Sequence, residues 1–442
     1  MKKCVLTLFL CLSLGSLWAV QPKYVFYFIG DGMGIPLLTA TEHYRAHKNG
    51  FYGNERLAMF SLPIKGLSTT YCSDSYITDS AAAGTALATG RKTDTGMIGM
   101  TPDSTAVYSV AVDAKHAGKA VGVITSVSID HATPASFYAH RPHRNQYHDI
   151  ALDGIAAAFD LYGGAGLLKP VVDDVDVYRE YEKAGYVRLK GRDGLKKLPS
   201  AKSPVVLTER DGASASSLAL AIDRTDDDMT LADMVRASID YLKKRGGDKG
   251  FFLMAEGGQI DWACHSNDAA TAIEEVIDFD NAIAVAYRFY QKHPDETLII
   301  VTADHETGGF ALGNRKMGYT MNIGVLSHID GSAEAVRQLL ADNTSWCEAR
   351  KILEERWSLG AAVPVSDKEW AELEKMYGKS RSSALDRALL LVSTAAGLGW
   401  TSGSHSAAPV IVLAAGDGLE GLGGMVDNVD IPKTLRGIIN PR

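Results

Sequence analysis

Seven carboxylate and imidazole side chains have the types and the spacing needed for chemistry. Each lies within ten residues of an apolar run long enough to form a buried strand. They are Asp31, Glu256, Asp261, His265, Asp304, His305 and His405. Zinc accepts carboxylate and imidazole ligands, whereas magnesium prefers oxygen ligands. The set therefore predicts a metal site.

Taken singly, each of these clusters has a structural alternative. Asp31 lies among glycines and could be a turn residue, and the G-x-G-x-G spacing around it differs from the G-x-G-x-x-G of dinucleotide sites. Asp261 and His265 are four residues apart and could form an ordinary surface pair on a helix. Asp304 with the histidine after it could cap a helix, and His405 could simply be hydrogen-bonded. Their common position at predicted strand ends favours metal binding over four separate coincidences.

A serine at a predicted helix start adds a candidate nucleophile. Thr78 or Asp79 is a suitable N-cap, Ser80 opens a run of alanines, and Gly90 marks the end. Unpaired amides and the helix dipole at such a start favour an anion. Taken alone, Ser80 fits a plain capping role better than that of a nucleophile. To act as a nucleophile, a serine must be activated by a metal or by a neighbouring base. No G-x-S-x-G elbow surrounds Ser80, so the sequence does not indicate an ordinary acyl-hydrolase triad.

The elements that must position these residues form an alternating pattern. Continuous apolar runs of strand length are separated by helical patterns such as Asp268–Tyr290. The runs are Tyr24–Ile29, Val121–Thr125, Phe251–Ala255, Leu298–Thr302 and Val410–Ala414. This alternation predicts a three-layer α/β/α sandwich with a central, mostly parallel β-sheet. Sites in such sheets lie at the carboxyl ends of the strands.

Two longer regions interrupt the alternation. Residues from about 160 to 230 are charged and rich in glycine, and residues from about 311 to 395 contain two predicted helices, Ala333–Trp357 and Asp367–Val392. Neither region carries a motif. We expect a single catalytic domain over residues 20–442, with these two regions as insertions that cover the site or support an oligomer interface.

Composition and the N-terminus limit the possible functions. The chain has 442 residues and a net charge of −8 without a basic tract, which argues against non-specific nucleic-acid binding. Lys2 and Lys3 precede the apolar run Val5–Leu14, and a small-residue site follows at Ala19. Residues 1–19 are therefore predicted to be a cleaved signal peptide, and the mature chain is expected to be periplasmic or secreted without a membrane anchor.

Few cysteines remain after that cleavage. Cys72, Cys264 and Cys347 allow one disulfide at most, which is too few for a disulfide scaffold. Stability is therefore expected to come from the core and from bound metals. Cys264 adjoins His265 but is expected to be buried and to point away from the metal.

Taken in order, six motifs resemble those of the alkaline phosphatases. The resemblance covers nearly the whole mature chain apart from the two interrupting regions. The motifs are Ile29-Gly-Asp-Gly-Met-Gly34, Thr78-Asp-Ser-Ala-Ala-Ala-Gly84, His131-Ala-Thr-Pro134, Glu256-Gly-Gly-Gln-Ile-Asp261 with His265, Thr302-Ala-Asp-His-Glu306 and Gly403-Ser-His405.

The resemblance implies a role for each residue. Ser80 resembles the nucleophile that becomes phosphoserine, and Arg144 resembles the arginine that binds the substrate phosphate. Two zinc ions and one magnesium ion are implied. Their ligands are Asp261, His265 and His405 in the first zinc site, Asp31, Asp304 and His305 in the second, and Asp31, Thr133 and Glu256 in the magnesium site. The implied reaction is hydrolysis of small-molecule phosphate monoesters to inorganic phosphate, by a homodimer.

Two positions depart from the best-known bacterial pattern. His131 stands where some members have aspartate, and Trp262 stands where lysine or histidine is common. Neither is a zinc ligand in the family, so we expect them to tune the third metal and the hold on phosphate. A related two-metal phosphodiesterase or sulfatase and a non-catalytic phosphate- or zinc-binding protein are the alternatives to a phosphomonoesterase.

Overall fold

A computed structural model describes residues 22–340 and 344–440, so the predicted signal peptide lies outside the described residues. Ten strands form one central sheet. In chain order they are β1 (Tyr24–Gly30), β2 (Ile64–Thr69), β3 (Ala120–Thr125), β4 (Leu161–Gly163), β5 (Val187–Lys190), β6 (Val205–Thr208), β7 (Phe251–Gly257), β8 (Thr297–Ala303), β9 (Val410–Ala415) and β10 (Gly424–Asp427). Their spatial order is β10-β2-β9-β8-β1-β7-β3-β4-β6-β5.

The sheet is mostly parallel, as predicted. Seven neighbouring strand pairs are parallel, and the two antiparallel pairs are those that β9 makes with β8 and β2. All five predicted strands are present, each one or two residues longer than predicted. Three of them, β1, β7 and β8, lie side by side at the centre of the sheet, where both faces are buried.

Fifteen helices surround the sheet in the described residues. They are α1 (Ile35–Lys48), α2 (Ser80–Thr89), α3 (Val110–His116), α4 (Ala132–Ala135), α5 (Tyr147–Ala157), α6 (Val177–Lys183), α7 (Gly191–Lys197), α8 (Leu231–Gly246), α9 (Gln259–His265), α10 (Ala269–Tyr290), α11 (Ala333–Leu339), α12 (Trp346–Trp357), α13 (Asp367–Tyr377), α14 (Arg381–Ala396) and α15 (Asp430–Ile439). The helix predicted over Asp268–Tyr290 is α10, with Asp268 as its N-cap.

Alternate side chains of β1 belong to two separate cores. Tyr24, Phe26 and Phe28 pack in the core that contains residues of α1, α8, α10 and α14. Val25 and Tyr27 pack in the core that contains residues of α2, α3, α5 and α15. Because successive side chains of a strand point to opposite faces, helices cover both sides of the sheet. The predicted three-layer α/β/α sandwich is confirmed.

The two regions expected to be insertions differ from that expectation in detail. The region from about 160 to 230 contributes β4, β5 and β6 to one edge of the central sheet. Those strands are only three or four residues long, too short for their apolar runs to stand out in the sequence. The region from about 311 to 395 contains four helices rather than two. Ser345 and Ser366 each form a capping box that starts a new helix, and Gly378 ends α13 before α14 begins.

Cys72, Cys264 and Cys347 are free thiols in the structure, and Cys264 is buried as expected. Across residues 22–340 and 344–440, no helix combines the length and the apolar character required to cross a membrane.

Candidate active site

Strand register brings three of the predicted ligands together at the carboxyl ends of the central strands. Gly30 at the end of β1 pairs with Ala303 of β8 on one side and with Gly257 of β7 on the other. Asp31 and Asp304 therefore leave adjacent strands at the same level, and Glu256, which pairs with Ile29, lies two residues before that level. The carboxyl ends of these parallel strands meet there, as the predicted fold requires.

The loop after β1 approaches Asp261 closely at a glycine, Gly32. Gly32 has a φ of +71°, and a Cβ atom there would lie 2.8 Å from the Cα and Oδ1 atoms of Asp261. The Gly32 amide donates a hydrogen bond to Asp304 Oδ1 at 3.1 Å. A left-handed backbone and this close approach both require the absence of a side chain.

The predicted first zinc site forms a compact group of side chains. Asp261 and His265 share one face of α9, and His265 Nε2 lies 3.2 Å from Asp261 Oδ2 and 3.1 Å from His405 Nε2. His265 Nδ1 is hydrogen-bonded to the Gly403 carbonyl, and His405 Nδ1 to the Thr78 carbonyl, each at 2.7 Å. A carbonyl only accepts, so each Nδ1 is the protonated nitrogen and each Nε2 presents a lone pair to the group.

The predicted second zinc site is fully buried. His305 Nε2 lies 3.4 Å from Asp31 Oδ1, 3.3 Å from Asp304 Oδ2 and 3.3 Å from the Ser80 hydroxyl. The side chains of His305, Asp31 and Asp304 have no exposed area, whereas that of His265 is 38% exposed. The combined cluster therefore opens to solvent on the side of the first site.

The third predicted site contains more than the sequence indicated. Asp31 and Glu256 lie close together there, and a ring nitrogen of His131 is within 4.8 Å of a carboxylate oxygen of each. The Thr133 hydroxyl is buried without a hydrogen-bond partner. His131 was expected to tune this site, and its ring reaches the same space as the predicted ligands. Trp262 packs edge-to-face on that ring, with centroids 5.9 Å apart.

Electrostatics across the cluster favour a bound cation. Burial raises the pKa of Asp31 well above its usual value, and the neighbouring Asp304, Asp261 and Glu256 raise it further. Burial raises the pKa of Glu256 to about 8 and that of Asp304 to about 7. Burial also lowers the pKa of His305 to about 4, which keeps this imidazole neutral.

Several buried atoms in the cluster lack any hydrogen-bond partner. They are both carboxylate oxygens of Asp31, Asp304 Oδ2, Glu256 Oε1, Thr133 Oγ1 and His131 Nδ1. Buried polar atoms are normally paired, so this concentration requires an explanation. Carboxylate, hydroxyl and imidazole groups converging in three neighbouring positions match the donor sets of zinc and magnesium. The residues therefore fit the predicted ions.

Ser80 is the first residue of α2 and is buried beside the cluster. Asp79 is the N-cap, and its carboxylate accepts a hydrogen bond from the Ala82 amide at 3.0 Å. Arg144 Nη1 donates to Asp79 Oδ2 at 2.9 Å, and Arg144 Nη2 lies 3.4 Å from His131 Nε2. The helix start and the guanidinium thus provide amide and cationic donors on the same side as the nucleophile candidate.

Two further threonines contact the cluster, and sequence reasoning missed both. The Thr125 hydroxyl donates to Glu256 Oε2. The Thr307 hydroxyl lies 2.5 Å from Asp261 Oδ1 and 3.2 Å from His305 Nδ1. Threonine is common in strands, so neither residue type drew attention. The available signal was position, because Thr125 ends a predicted strand and Thr307 lies two residues after His305.

An α/β sandwich with this buried cluster and a serine at a helix start defines a metal-dependent hydrolase that acts by phosphoryl transfer. The sequence model of the alkaline phosphatase family matches residues 22–163 and 171–440. Alkaline phosphatase 4 of Bacillus subtilis is 35% identical over 420 residues, which cover 92% of this chain and 87% of that protein. The human tissue-nonspecific isozyme of alkaline phosphatase is 31% identical over 348 residues, or 68% of this chain and 66% of that protein.

Solved structures give the same result. The cold-active alkaline phosphatase of a psychrophilic Shewanella species superposes with a TM-score of 0.82 at 30% identity, covering 94% of this chain and 100% of that chain. The Thermus thermophilus alkaline phosphatase gives a TM-score of 0.81 at 26% identity, covering 95% and 91%. The chain belongs to the alkaline phosphatase family and is a phosphoric monoester hydrolase.

Proposed function

We propose that this enzyme hydrolyses phosphate monoesters through a phosphoserine on Ser80, at a site for two zinc ions and one magnesium ion. The observation that carries the proposal is the position of the Ser80 hydroxyl, 3.3 Å from His305 Nε2 within a cluster of unpaired carboxylate oxygens. A serine in this setting needs no separate general base. When bound, zinc supplies positive charge that lowers the pKa of a nearby hydroxyl or water.

The reaction follows from the positions of the chain's own groups. Ser80 Oγ forms a bond to phosphorus while the ester P–O bond breaks and the alcohol leaves with a proton. Water then attacks the phosphoserine, the bond between phosphorus and Ser80 Oγ breaks, one proton of the water passes to Ser80 Oγ, and inorganic phosphate leaves. The exposed side of His265 gives the leaving group and the water a route to solvent.

Arg144 orients the transferred group. Its guanidinium is held by Asp79, the residue next to Ser80, through a bond of 2.9 Å. Burial would raise the pKa of Asp79, but the Ala82 amide and Arg144 lower it below its usual value, so the carboxylate stays ionised. A planar guanidinium held in this way can bind two non-bridging phosphate oxygens.

The third ion site is proposed to be a magnesium site with Asp31, Thr133 and Glu256 as ligands and with His131 at its edge. Solved mutants of the Antarctic TAB5 alkaline phosphatase, in which a histidine is replaced by aspartate or glutamate, contain magnesium in a site called M3. The carboxylates of Asp31 and Glu256 supply the oxygen ligands that magnesium prefers.

A phosphodiesterase or sulfatase reaction is the second candidate, because the same two-zinc arrangement could serve either. Arg144 and the third site favour the monoester, since both add positive charge for a substrate with an extra negative oxygen. A non-catalytic phosphate- or zinc-binding protein would not need Ser80 beside the cluster.

The decisive experiment compares p-nitrophenyl phosphate, its diester and p-nitrophenyl sulfate at mildly alkaline pH, with and without chelator. We expect the monoester to be hydrolysed fastest, activity to disappear on chelation, and zinc with magnesium to restore it. Full monoesterase activity in protein shown by elemental analysis to contain no metal would contradict the proposed mechanism.

Export and dimerisation complete the proposal. The N-terminal pattern of residues 1–19 supports secretion or export to the periplasm, and the mass of the mature protein tests cleavage after Ala19. The family resemblance alone supports a homodimer, and light scattering on purified protein tests it.

A further inference from the structure

Thr307 lies between the two predicted zinc sites. Its hydroxyl is 2.5 Å from Oδ1 of Asp261, a predicted ligand of the first site. The same hydroxyl is 3.2 Å from Nδ1 of His305, a predicted ligand of the second. Thr307 is 1% exposed, so water does not compete for either contact.

The chemistry of a hydroxyl fixes the direction of both bonds. It has one hydrogen to donate and two lone pairs to accept with. A carboxylate that ligates a metal is ionised and only accepts, so Thr307 donates its hydrogen to Asp261 Oδ1. Toward His305 the hydroxyl oxygen must then accept, which places the His305 proton on Nδ1. His305 Nε2 is left with its lone pair directed toward Asp31, Asp304 and Ser80.

The backbone of Thr307 pairs with that of a third predicted ligand, His405. Glu306–Thr307 and His405–Ser406 form a short antiparallel ladder in which Thr307 is paired with His405. The Glu306 carboxylate holds this ladder by accepting hydrogen bonds from the Phe310 amide at 3.0 Å and from the Ser406 hydroxyl. Thr307 is therefore placed by a rigid local structure and not by its side-chain contacts alone.

We propose that Thr307 is a positioning residue whose single hydroxyl links the two zinc sites, orienting Asp261 in one and selecting the metal-binding tautomer of His305 in the other. This inference rests on the proposed zinc ligands. It assigns Thr307 no contact with substrate. Outer hydrogen bonds of this kind typically change metal affinity by about 10- to 100-fold.

A shared hydroxyl has a consequence that a contact to one site would not have. Removing it frees Asp261 to rotate and leaves His305 Nδ1 without its acceptor. Both zinc ions should then dissociate faster, although neither has lost a ligand. Serine keeps the hydroxyl and should keep both sites, whereas valine keeps the shape and should loosen both.

The test uses the full-length zinc-loaded enzyme. Zinc release to a chromogenic chelator is followed for wild type, Thr307→Val, Thr307→Ser and Thr41→Val, and the absorption spectrum of each cobalt-substituted protein is recorded. Thr41 is the matched control because its hydroxyl is also buried but bonds only to the Leu37 carbonyl, at 2.9 Å. Thermal unfolding of each variant checks that it is folded.

We expect Thr307→Val to release both zinc equivalents about tenfold faster than wild type or more, with an altered cobalt spectrum. Thr307→Ser and Thr41→Val should behave as wild type. If Thr307→Val does not fold, Thr307→Ala replaces it and carries the same expectation. Wild-type release of both equivalents from the folded variant, or faster release of only one, would overturn the inference. A wild-type enzyme that binds no zinc would instead overturn the proposed function.

Discussion

At the scale of single residues, Ser80 is the first residue of α2, directly after the N-cap Asp79, and also has a proposed chemical role. Ser80→Ala should lose most turnover but still bind zinc, because the side chain is the proposed phosphate acceptor while the carboxylates and imidazoles of the cluster remain. Turnover and zinc content measured on the same sample test this. Ser345→Ala is the control, since Ser345 also begins a helix but lies on the surface. A Ser80→Ala enzyme with wild-type turnover would refute the phosphoserine.

Arg144 should discriminate between monoesters and diesters. Arg144→Ala removes a charged contact worth about 1.5–3 kcal/mol, so monoester hydrolysis should fall roughly ten- to a hundredfold. Diester hydrolysis should fall less, because a diester has one fewer charged oxygen. Values of kcat/KM for both substrates measure the difference. Arg141→Ala is the control in the same segment, because Arg141 pairs with Asp153 and should affect both substrates alike. Equal losses in Arg144→Ala would exclude the proposed clamp.

His131 should set the strength of the third site. His131→Asp places a carboxylate where a neutral imidazole now approaches Asp31 and Glu256, and magnesium prefers the added oxygen ligand. The magnesium concentration that half-restores activity to the metal-depleted enzyme should fall at least several-fold. His140→Asp is a control on the other side of α4, outside the cluster, and should leave that midpoint where it is. An unchanged midpoint in His131→Asp would show that this position does not control the third ion.

Residue identity made most of this cluster predictable, since carboxylates and histidines stand out at strand ends. The structure brings all eight residues expected to be ligands together at the carboxyl ends of the central strands. Sequence reasoning underestimated His131, because the reach of a side chain cannot be read from its type. It missed Thr307 for another reason. Thr307 lies outside the predicted strand Leu298–Thr302, and its residue type gives no sign of its hydrogen bonds to Asp261 and His305.

At the scale of elements, the conformation of the turn after β1 predicts how much a glycine substitution there should destabilise the fold. Gly32→Ala would force a side chain into a left-handed backbone and against Asp261. Gly50 also has a positive φ, of +79°, but a Cβ atom there would meet nothing within 4 Å. Gly50→Ala should therefore cost only the backbone strain, about 1–2 kcal/mol.

Gly32→Ala should cost more than that and should also weaken zinc binding, because either Asp261 or the turn must move. Denaturant unfolding and zinc content of both variants provide the measurement. Equal destabilisation of the two variants, with zinc binding intact, would mean that the close approach to Asp261 has no energetic importance.

Long central elements were predictable, and short edge elements were not. The five buried runs gave the strands that carry or flank the ligands, because both faces of those strands are covered and most of their residues are apolar. Strands β4, β5 and β6 are three or four residues long, and their pairing depends on neighbours that are distant in sequence. The region that holds them was therefore interpreted as an insertion.

At the scale of the whole molecule, the cluster should make stability depend on pH and metal together. In the metal-free chain Glu256 and Asp304 have pKa values of about 8 and about 7, both raised mainly by burial. The folded chain then holds protons that the unfolded chain has lost, so these groups make stability fall as pH rises toward 8. Burial lowers the pKa of His305 and of His131. These two groups therefore make stability rise with pH, but only below about pH 6.5.

The unfolding temperature of chelated protein should therefore fall between about pH 6.5 and about pH 8. Zinc and magnesium should reduce this fall, because bound cations replace the protons. A smaller decrease should persist, since burial also raises the pKa of Glu275 to about 8 and this residue is not part of the cluster. Parallel curves with and without metal would mean that the cluster does not couple to folding.

The antiparallel strand β9 has a consequence for the order of events in the cell. It lies between β8 and β2, and His405 precedes it by only a few residues. A ribosome makes Asp31 early and His405 late, so the nascent chain carries every other proposed ligand before the first zinc site can be completed. Metal loading of the proposed first zinc site must therefore follow synthesis of nearly the whole chain.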